Sequence, residues 1–171
     1  SGGPADARAR NAANHLLGRN ARATCLEFTG IGGQWLLSGS GQIAITGADL
    51  NWRLNGRPLE SYQTLFIEGD GLLTSTQSSA GLRGYLAING NWHLPQALGS
   101  AEAGLPEIPA VASGWSVIVK WSTEAPFRTD LETGRHHPTT PLTIAVNPGP
   151  EWNWLTPMQQ EHLLATTYRV G

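Results

Sequence analysis

Arg83 and Tyr85 stand two positions apart in Gly81-Leu82-Arg83-Gly84-Tyr85-Leu86-Ala87-Ile88, a spacing that puts both on one face of a strand. A guanidinium so placed can grip a carboxylate or phosphate through two parallel hydrogen bonds. A structural ion pair would use it equally well. Asp49 closes Gly47-Ala48-Asp49 at a strand end, where functional side chains often emerge. Asp6 and Asn14 bracket a short helix, and a plain N-cap role already accounts for Asp6. His93, between Trp92 and Leu94, reads either as a general acid–base or as a loop histidine bonded to backbone. Glu68-Gly69-Asp70-Gly71 offers two carboxylates, but its glycines mark a turn first. Arg135-His136-His137 lies near Asp130 and Glu132. Adjacent histidines on an extended segment point to opposite faces, so a solvated loop is the better reading and no metal site is expected.

Other chemistry is excluded more firmly. The chain has no GxxxxGK[ST] phosphate loop and no His-Glu metalloprotease signature. Gly30-Ile31-Gly32-Gly33 lacks the strand-to-helix setting of a dinucleotide fingerprint. The single cysteine, Cys25, allows no internal disulfide, has no nucleophile elbow around it, and suits a buried thiol in a cytosolic protein. A formal net charge of −2 gives no electrostatic case for nucleic acid or an anionic membrane. No apolar run approaches the ~20 residues of a membrane span. Ser1-Gly2-Gly3-Pro4 shows no secretory signal, and a mature or truncated start would hide one.

The elements that must position these side chains are mostly short strands. With 171 residues, 40% hydrophobic and 14% charged, the chain can bury a real core. Its 21 glycines and 11 prolines punctuate it into turns. A helix is predicted over Ala7–Leu17, capped by Asp6 and stopped by Gly18. Strands are predicted at 25–28, 34–37, 42–46, 64–67 and 72–76, with a hairpin turning on Asn55-Gly56 between 51–54 and 57–59. Pro58 puts the second arm at an edge. The strand through Arg83 and Tyr85 should break at Asn89-Gly90-Asn91. Beyond Ser100 the pattern is loop-rich, with strands at 115–121 and 141–146 and an exposed excursion at 122–140. A second helix starts at Thr156-Pro157 and runs to about Leu164, followed by extended 167–170.

Four phrases then recur in order. They are Gly2-Gly3-Pro4-Ala5-Asp6 with Asn14, Leu16-Leu17-Gly18-Arg19-Asn20 and Leu26-Glu27; Ile43 to Asp49 with Leu54-Asn55-Gly56-Arg57-Pro58; Gly81 to Ser100; and Gly149-Pro150-Glu151-Trp152 with Leu155. Together they resemble the KipA family, also called allophanate hydrolase subunit 2 or biotin-dependent carboxyltransferase-type proteins, whose bacterial members include one of the subunits of 5-oxoprolinase. The wording departs at Ala5, at Gly90-Asn91, at Ala101-Glu102-Ala103 after Gly99-Ser100, and across 104–119. The family's opening segment and its second half find no counterpart, so the resemblance implies a partial member, a single domain over 1–171 with 101–140 as a loop-rich excursion.

The resemblance implies a mainly β fold: a cyclophilin-like β-barrel with one N-terminal helix and one short C-terminal helix. It implies a cytoplasmic protein working with a KipI-like partner and, for 5-oxoprolinase, a LamB/YcsF-like subunit. The complex would use ATP to activate an amide for hydrolysis, giving glutamate from 5-oxoproline, or would act like allophanate hydrolase. Relatives in urea-carboxylating enzymes bind carboxybiotin instead. Asp6, Asn14, Asp49, Arg83 and Tyr85 would then lie near the substrate cleft. Two other readings stay open: a non-catalytic regulator that binds a KipI-like histidine-kinase inhibitor, and a carbohydrate-binding module built on the seven tryptophans.

Overall fold

The computed structural model describes residues 3–97, 99–104, 108, 110–122 and 147–168. The chain divides into two units, Ser1–His137 and Pro138–Gly171. The first opens with helix α1 (Ala7–Leu16), where Asp6 Oδ1 accepts from the Ala9 N–H at 3.0 Å. Its end is a Schellman motif: Gly18 N–H donates to His15 O at 3.0 Å and Arg19 N–H to Asn14 O at 2.9 Å, with Gly18 at φ +64°.

Ten strands follow among the described residues: β1 (Leu26–Thr29), β2 (Gln34–Leu37), β3 (Ser40–Asp49), β4 (Arg53–Leu54), β5 (Arg57–Pro58), β6 (Thr64–Glu68), β7 (Gly71–Thr74), β8 (Ala80–Ile88), β9 (Gly90–His93) and β10 (Ile118–Trp121). They build two four-stranded antiparallel sheets, β1-β8-β3-β6 and β2-β7-β4-β5, and a two-stranded ribbon of β9 and β10. The architecture is mainly β with helices towards both ends, and the ladders of the described residues form three sheets without closing into one ring. β5 is an edge strand, as Pro58 requires. Asn55 at φ +51° and Gly56 at φ +80° are both left-handed, the signature of a type I′ hairpin turn.

β3 between Gly41 and Ala48, and β8 from Gly84 to Ile88, are buried on both faces, which explains their long apolar runs. Ile43, Ile45, Leu86 and Ile88 join Phe28, Leu50, Trp52, Ile67 and Leu73 in one core cluster, each aliphatic side chain worth about 1.5–3 kcal/mol on burial. The alternate residues Ala44, Tyr85 and Ala87 meet Ala9, Ala13, Leu16 and Leu17 of α1. Alanines on both sides bring the backbones close. Thr46 Oγ1 therefore reaches Ala9 O at 2.7 Å, and Thr64 Oγ1 reaches Leu16 O at 3.1 Å.

β3 runs further than the predicted 42–46 because a bulge lets it continue to Asp49; the register with β8 shifts between Gly47 and Asp49. Gly47 sits at φ +84°, and a Cβ there would collide with the Arg83 carbonyl. Tyr62, itself left-handed at φ +64°, staples the bulge: its N–H donates to Ile45 O at 2.8 Å and its hydroxyl accepts from the Gly47 N–H at 3.0 Å.

Three expectations are corrected. Asn89-Gly90-Asn91 does not reverse the chain. Only Asn89 bends, and it is buried: its N–H donates to Gln42 O at 2.7 Å and its own carbonyl accepts from Ser122 N–H at 2.9 Å. The chain then continues as β9, so His93 ends a strand opposite Ile118 instead of lying in a loop. The strand predicted at 115–121 is confined to 118–121, the length that β9 can pair. The tryptophans are core residues before anything else: Trp52 is buried and Trp35, Trp92 and Trp121 pack against the first cluster. Trp154, in contrast, is 81% exposed. The predicted strand 141–146, most of the excursion 122–140 and the histidines at 136 and 137 lie outside the described residues.

In the second unit a 3-10 helix (Pro150–Trp154), not anticipated from sequence, leads into α2 (Pro157–Ala165). Thr156 and Gln159 form a capping box, with Gln159 N–H on Thr156 Oγ1 at 3.4 Å and Thr156 N–H on Gln159 Oε1 at 2.8 Å. Thr167 and Tyr168 carry no strand. No helix among the described residues is long and apolar enough to cross a membrane.

Candidate functional site

β1 and β8 pair so that Glu27 lies directly opposite Tyr85, and Thr29 opposite Arg83. The strand period puts these four side chains on one face of the sheet. Glu27 gathers three donors. Oε2 accepts from the Tyr85 hydroxyl at 2.7 Å and from the Ala5 N–H at 3.0 Å, and Oε1 pairs with Arg83 at 2.9 Å. Arg83 also donates to Thr29 Oγ1 at 2.6 Å. The Tyr85 oxygen in turn accepts from the Asp6 N–H at 2.7 Å. Burial, together with the neighbouring Glu27 carboxylate, pushes the Tyr85 hydroxyl well above its ordinary range. Tyr85 therefore stays a protonated donor at neutral pH. Through this network the Gly-Gly-Pro-Ala-Asp segment is fastened to the sheet.

Beside this network lies a pocket of about 510 Å³, with Glu27 and Tyr85 in its wall. Arg10 of α1 and the segment Arg22–Leu26 form one side, and Leu94, Pro95, Ser100–Ala103, Val111 and Trp115 contribute another. Cys25 lies in the wall, half-buried; desolvation raises its thiol to about 11. A neutral thiol is a poor nucleophile, in keeping with the inert reading of this cysteine. Glu27 is already engaged by three donors, and Glu102 is the other carboxylate among the described lining residues.

Of the residues singled out from sequence, Asp6, Arg83 and Tyr85 come together around Glu27. Asn14 has no exposure and is not among the residues that line the pocket. Its Nδ2 donates to Ala21 O at 3.2 Å and Ala23 O at 2.8 Å, holding the loop that carries Arg22. Asp49 is elsewhere: its carboxylate accepts from the Asn51 N–H at 3.2 Å and from Ser79 Oγ at 2.7 Å, and it does not line the pocket. Asp70 is a turn residue bonded to Ser38 Oγ at 2.7 Å. Sequence reasoning passed over Glu27, Arg10 and Arg22. Glu27 stood in the first family phrase and alternates with Thr29, a signal that it shares a face; nothing local marked the two arginines.

The family profile described as carboxyltransferase domain, subdomain A and B, matches residues 1–171. The chain belongs to this carboxyltransferase-domain family. The resemblance carried by the four phrases therefore holds, and the domain is related to the carboxyltransferase part of urea amidolyases. The urea amidolyase of Lachancea kluyveri is 34% identical over 98 residues, 57% of this chain and 5% of that protein. The chain thus spans about one-twentieth of the length of the curated relatives it matches. Among solved structures, TTHA0988 superposes with a TM-score of 0.63 at 29% identity, covering 87% of this chain and 57% of its own. The K. lactis urea amidolyase superposes with a TM-score of 0.55 at 28% identity, covering 57% of this chain and 6% of that one. The carboxyltransferase-domain fold thus includes the α1–β1–β8 framework that holds the pocket.

Proposed function

We propose that this carboxyltransferase-like domain is part of a cytoplasmic, ATP-dependent amidohydrolase, acting on 5-oxoproline or on an allophanate-like amide. The observation that carries the reading is the pocket itself. It joins two arginines, the hydrogen-bonded Glu27–Tyr85 pair and a partly apolar wall, a lining suited to a small polar amide that bears a negative charge. The glycine segment among the described residues offers ATP no phosphate cradle. The glycine segment 30–33 turns between strands, with Gly30 N–H engaged by Leu82 O at 2.8 Å and Gly32 N–H by Ser75 Oγ at 2.8 Å. Nucleotide binding is accordingly assigned to a KipI-like or LamB/YcsF-like partner. The test is reconstitution with both partner subunits and ATP. Formation of glutamate from 5-oxoproline, or hydrolysis of allophanate, supports the reading, and a stable complex that turns over neither overturns it. Urea in place of 5-oxoproline, with carboxybiotin supplied, probes the chemistry named by the urea amidolyase relatives.

A second reading is favoured by Ala101-Glu102-Ala103. This segment departs from the family wording and stands in the pocket wall. A non-catalytic domain that binds a KipI-like histidine-kinase inhibitor would need the family surface without an intact pocket. Tight binding of that partner with no turnover in the reconstituted system would select it.

A further inference from the structure

Arg10 and Arg22 reach the pocket from two different elements. Arg10 is half-buried on α1, and its Nε is buried with no hydrogen-bond partner. A buried guanidinium N–H left unpaired is costly, and native structures rarely keep one without a purpose. Arg22 sits between Ala21 and Ala23, whose carbonyls both accept from the buried Asn14 amide. A core side chain thus fixes where this exposed arginine stands.

The negative groups nearby do not answer these charges. Glu27 is matched by Arg83 in the one ion pair found among the described residues, and by Tyr85 and the Ala5 N–H. Glu102 lines the pocket but forms no ion pair with either arginine among those residues. The same pocket is also lined by Leu94, Ile108, Val111 and Trp115. A lining that combines unmatched positive charge with hydrocarbon suits a small organic acid.

We propose that the pocket is a carboxylate-binding subsite in which Arg10 and Arg22 hold the carboxylate and the apolar wall takes the carbon skeleton. The inference rests on the amide-substrate reading above and names the group by which that substrate is recognised. 5-Oxoproline, a lactam with one carboxylate, fits it; an uncharged amide does not.

The experiment is calorimetric titration of the full chain with 5-oxoproline, with 2-pyrrolidinone (the same ring without the carboxylate) and with inorganic phosphate. 5-Oxoproline should bind, and 2-pyrrolidinone should bind at least about tenfold more weakly, the loss expected for charge-assisted bonds. Arg22→Ala and Arg10→Lys should each weaken 5-oxoproline binding by about tenfold. Arg22 is exposed, so its variant keeps the test valid if the Arg10 variant fails to fold. Equal binding of both rings, binding unchanged in a folded Arg22→Ala, no binding of 5-oxoproline at all, or tighter arginine-dependent binding of phosphate would each overturn the proposal. The two readings separate cleanly. Arginine-dependent binding without glutamate formation or allophanate hydrolysis keeps the subsite and removes the amidohydrolase. Glutamate formation with a KM indifferent to both variants does the reverse.

Discussion

Glu27 and Tyr85 are direct cross-strand partners on β1 and β8, joined by a 2.7 Å hydrogen bond from the tyrosine hydroxyl to Glu27 Oε2. The same hydroxyl accepts from the Asp6 N–H at the start of α1. One atom thereby links the two strands that flank the pocket to the helix that carries Arg10. Tyr85→Phe keeps the ring in the α1 interface and removes only the oxygen, leaving the Asp6 N–H without its acceptor. The expected loss is about 1–2 kcal/mol, read as a lower urea midpoint with an unchanged slope.

Asn14 is buried and makes two bonds to the 21–23 loop. Asn14→Leu keeps the branched shape, adds bulk and leaves two carbonyls unanswered, at a cost of roughly 2–4 kcal/mol. Hydrogen exchange should speed up in residues 19–25 before the strands respond. A uniform change across β3 and β8 would argue that Asn14 supports the whole core and not this loop.

Gly47 combines a left-handed backbone with a contact to the Arg83 carbonyl that leaves no room for a side chain. Gly47→Ala must shift β3 away from β8 or rotate out of the bulge. A penalty of about 2–4 kcal/mol is expected, whereas Gly56→Ala, strained but open to solvent, should cost about 1 kcal/mol. Comparing the two denaturation curves separates backbone strain from steric conflict.

Alkaline pH should weaken the fold. Burial raises the Cys25 thiol from 9.0 to about 11, and raises the Tyr62 and Tyr85 hydroxyls. Each group holds its proton more tightly in the folded chain, so the unfolded chain ionises first. The thiol's contribution is complete below about pH 9 and is lost as pH rises through about 11. Denaturation midpoints should fall across that window, and Cys25→Ala should flatten part of the fall. At neutral pH the same thiol should react with iodoacetamide more slowly than free cysteine.

Local sequence determined much of the architecture because local physics is enough for it. Asp6 and Gly18 bound α1 through one side chain and one left-handed residue. Asn55-Gly56 dictates the hairpin turn, and Thr156-Pro157 with Gln159 starts α2. Short apolar runs bounded by turn residues locate β2, β6 and β8 without knowledge of their neighbours. Where two strands compete for a segment, sequence alone misleads: Asn89-Gly90-Asn91 has the composition of a turn, yet Gln42 and Ser122, distant in the chain, take up the backbone groups of Asn89 and let the chain run on as β9.

The pocket belongs to tertiary structure. Register makes Glu27 the partner of Tyr85, and a one-residue slip would send it to the opposite face. Arg10 and Arg22 are ordinary surface arginines in sequence; the packing of α1 on β3 and β8, and the Asn14 amide under the 21–23 loop, turn both towards one cavity. Asp49 shows the converse, since the bulge at Gly47 carries a promising carboxylate to Asn51 and Ser79. Spacing along a chain records which face a side chain occupies. Which faces meet is decided by pairing and packing between residues far apart in sequence.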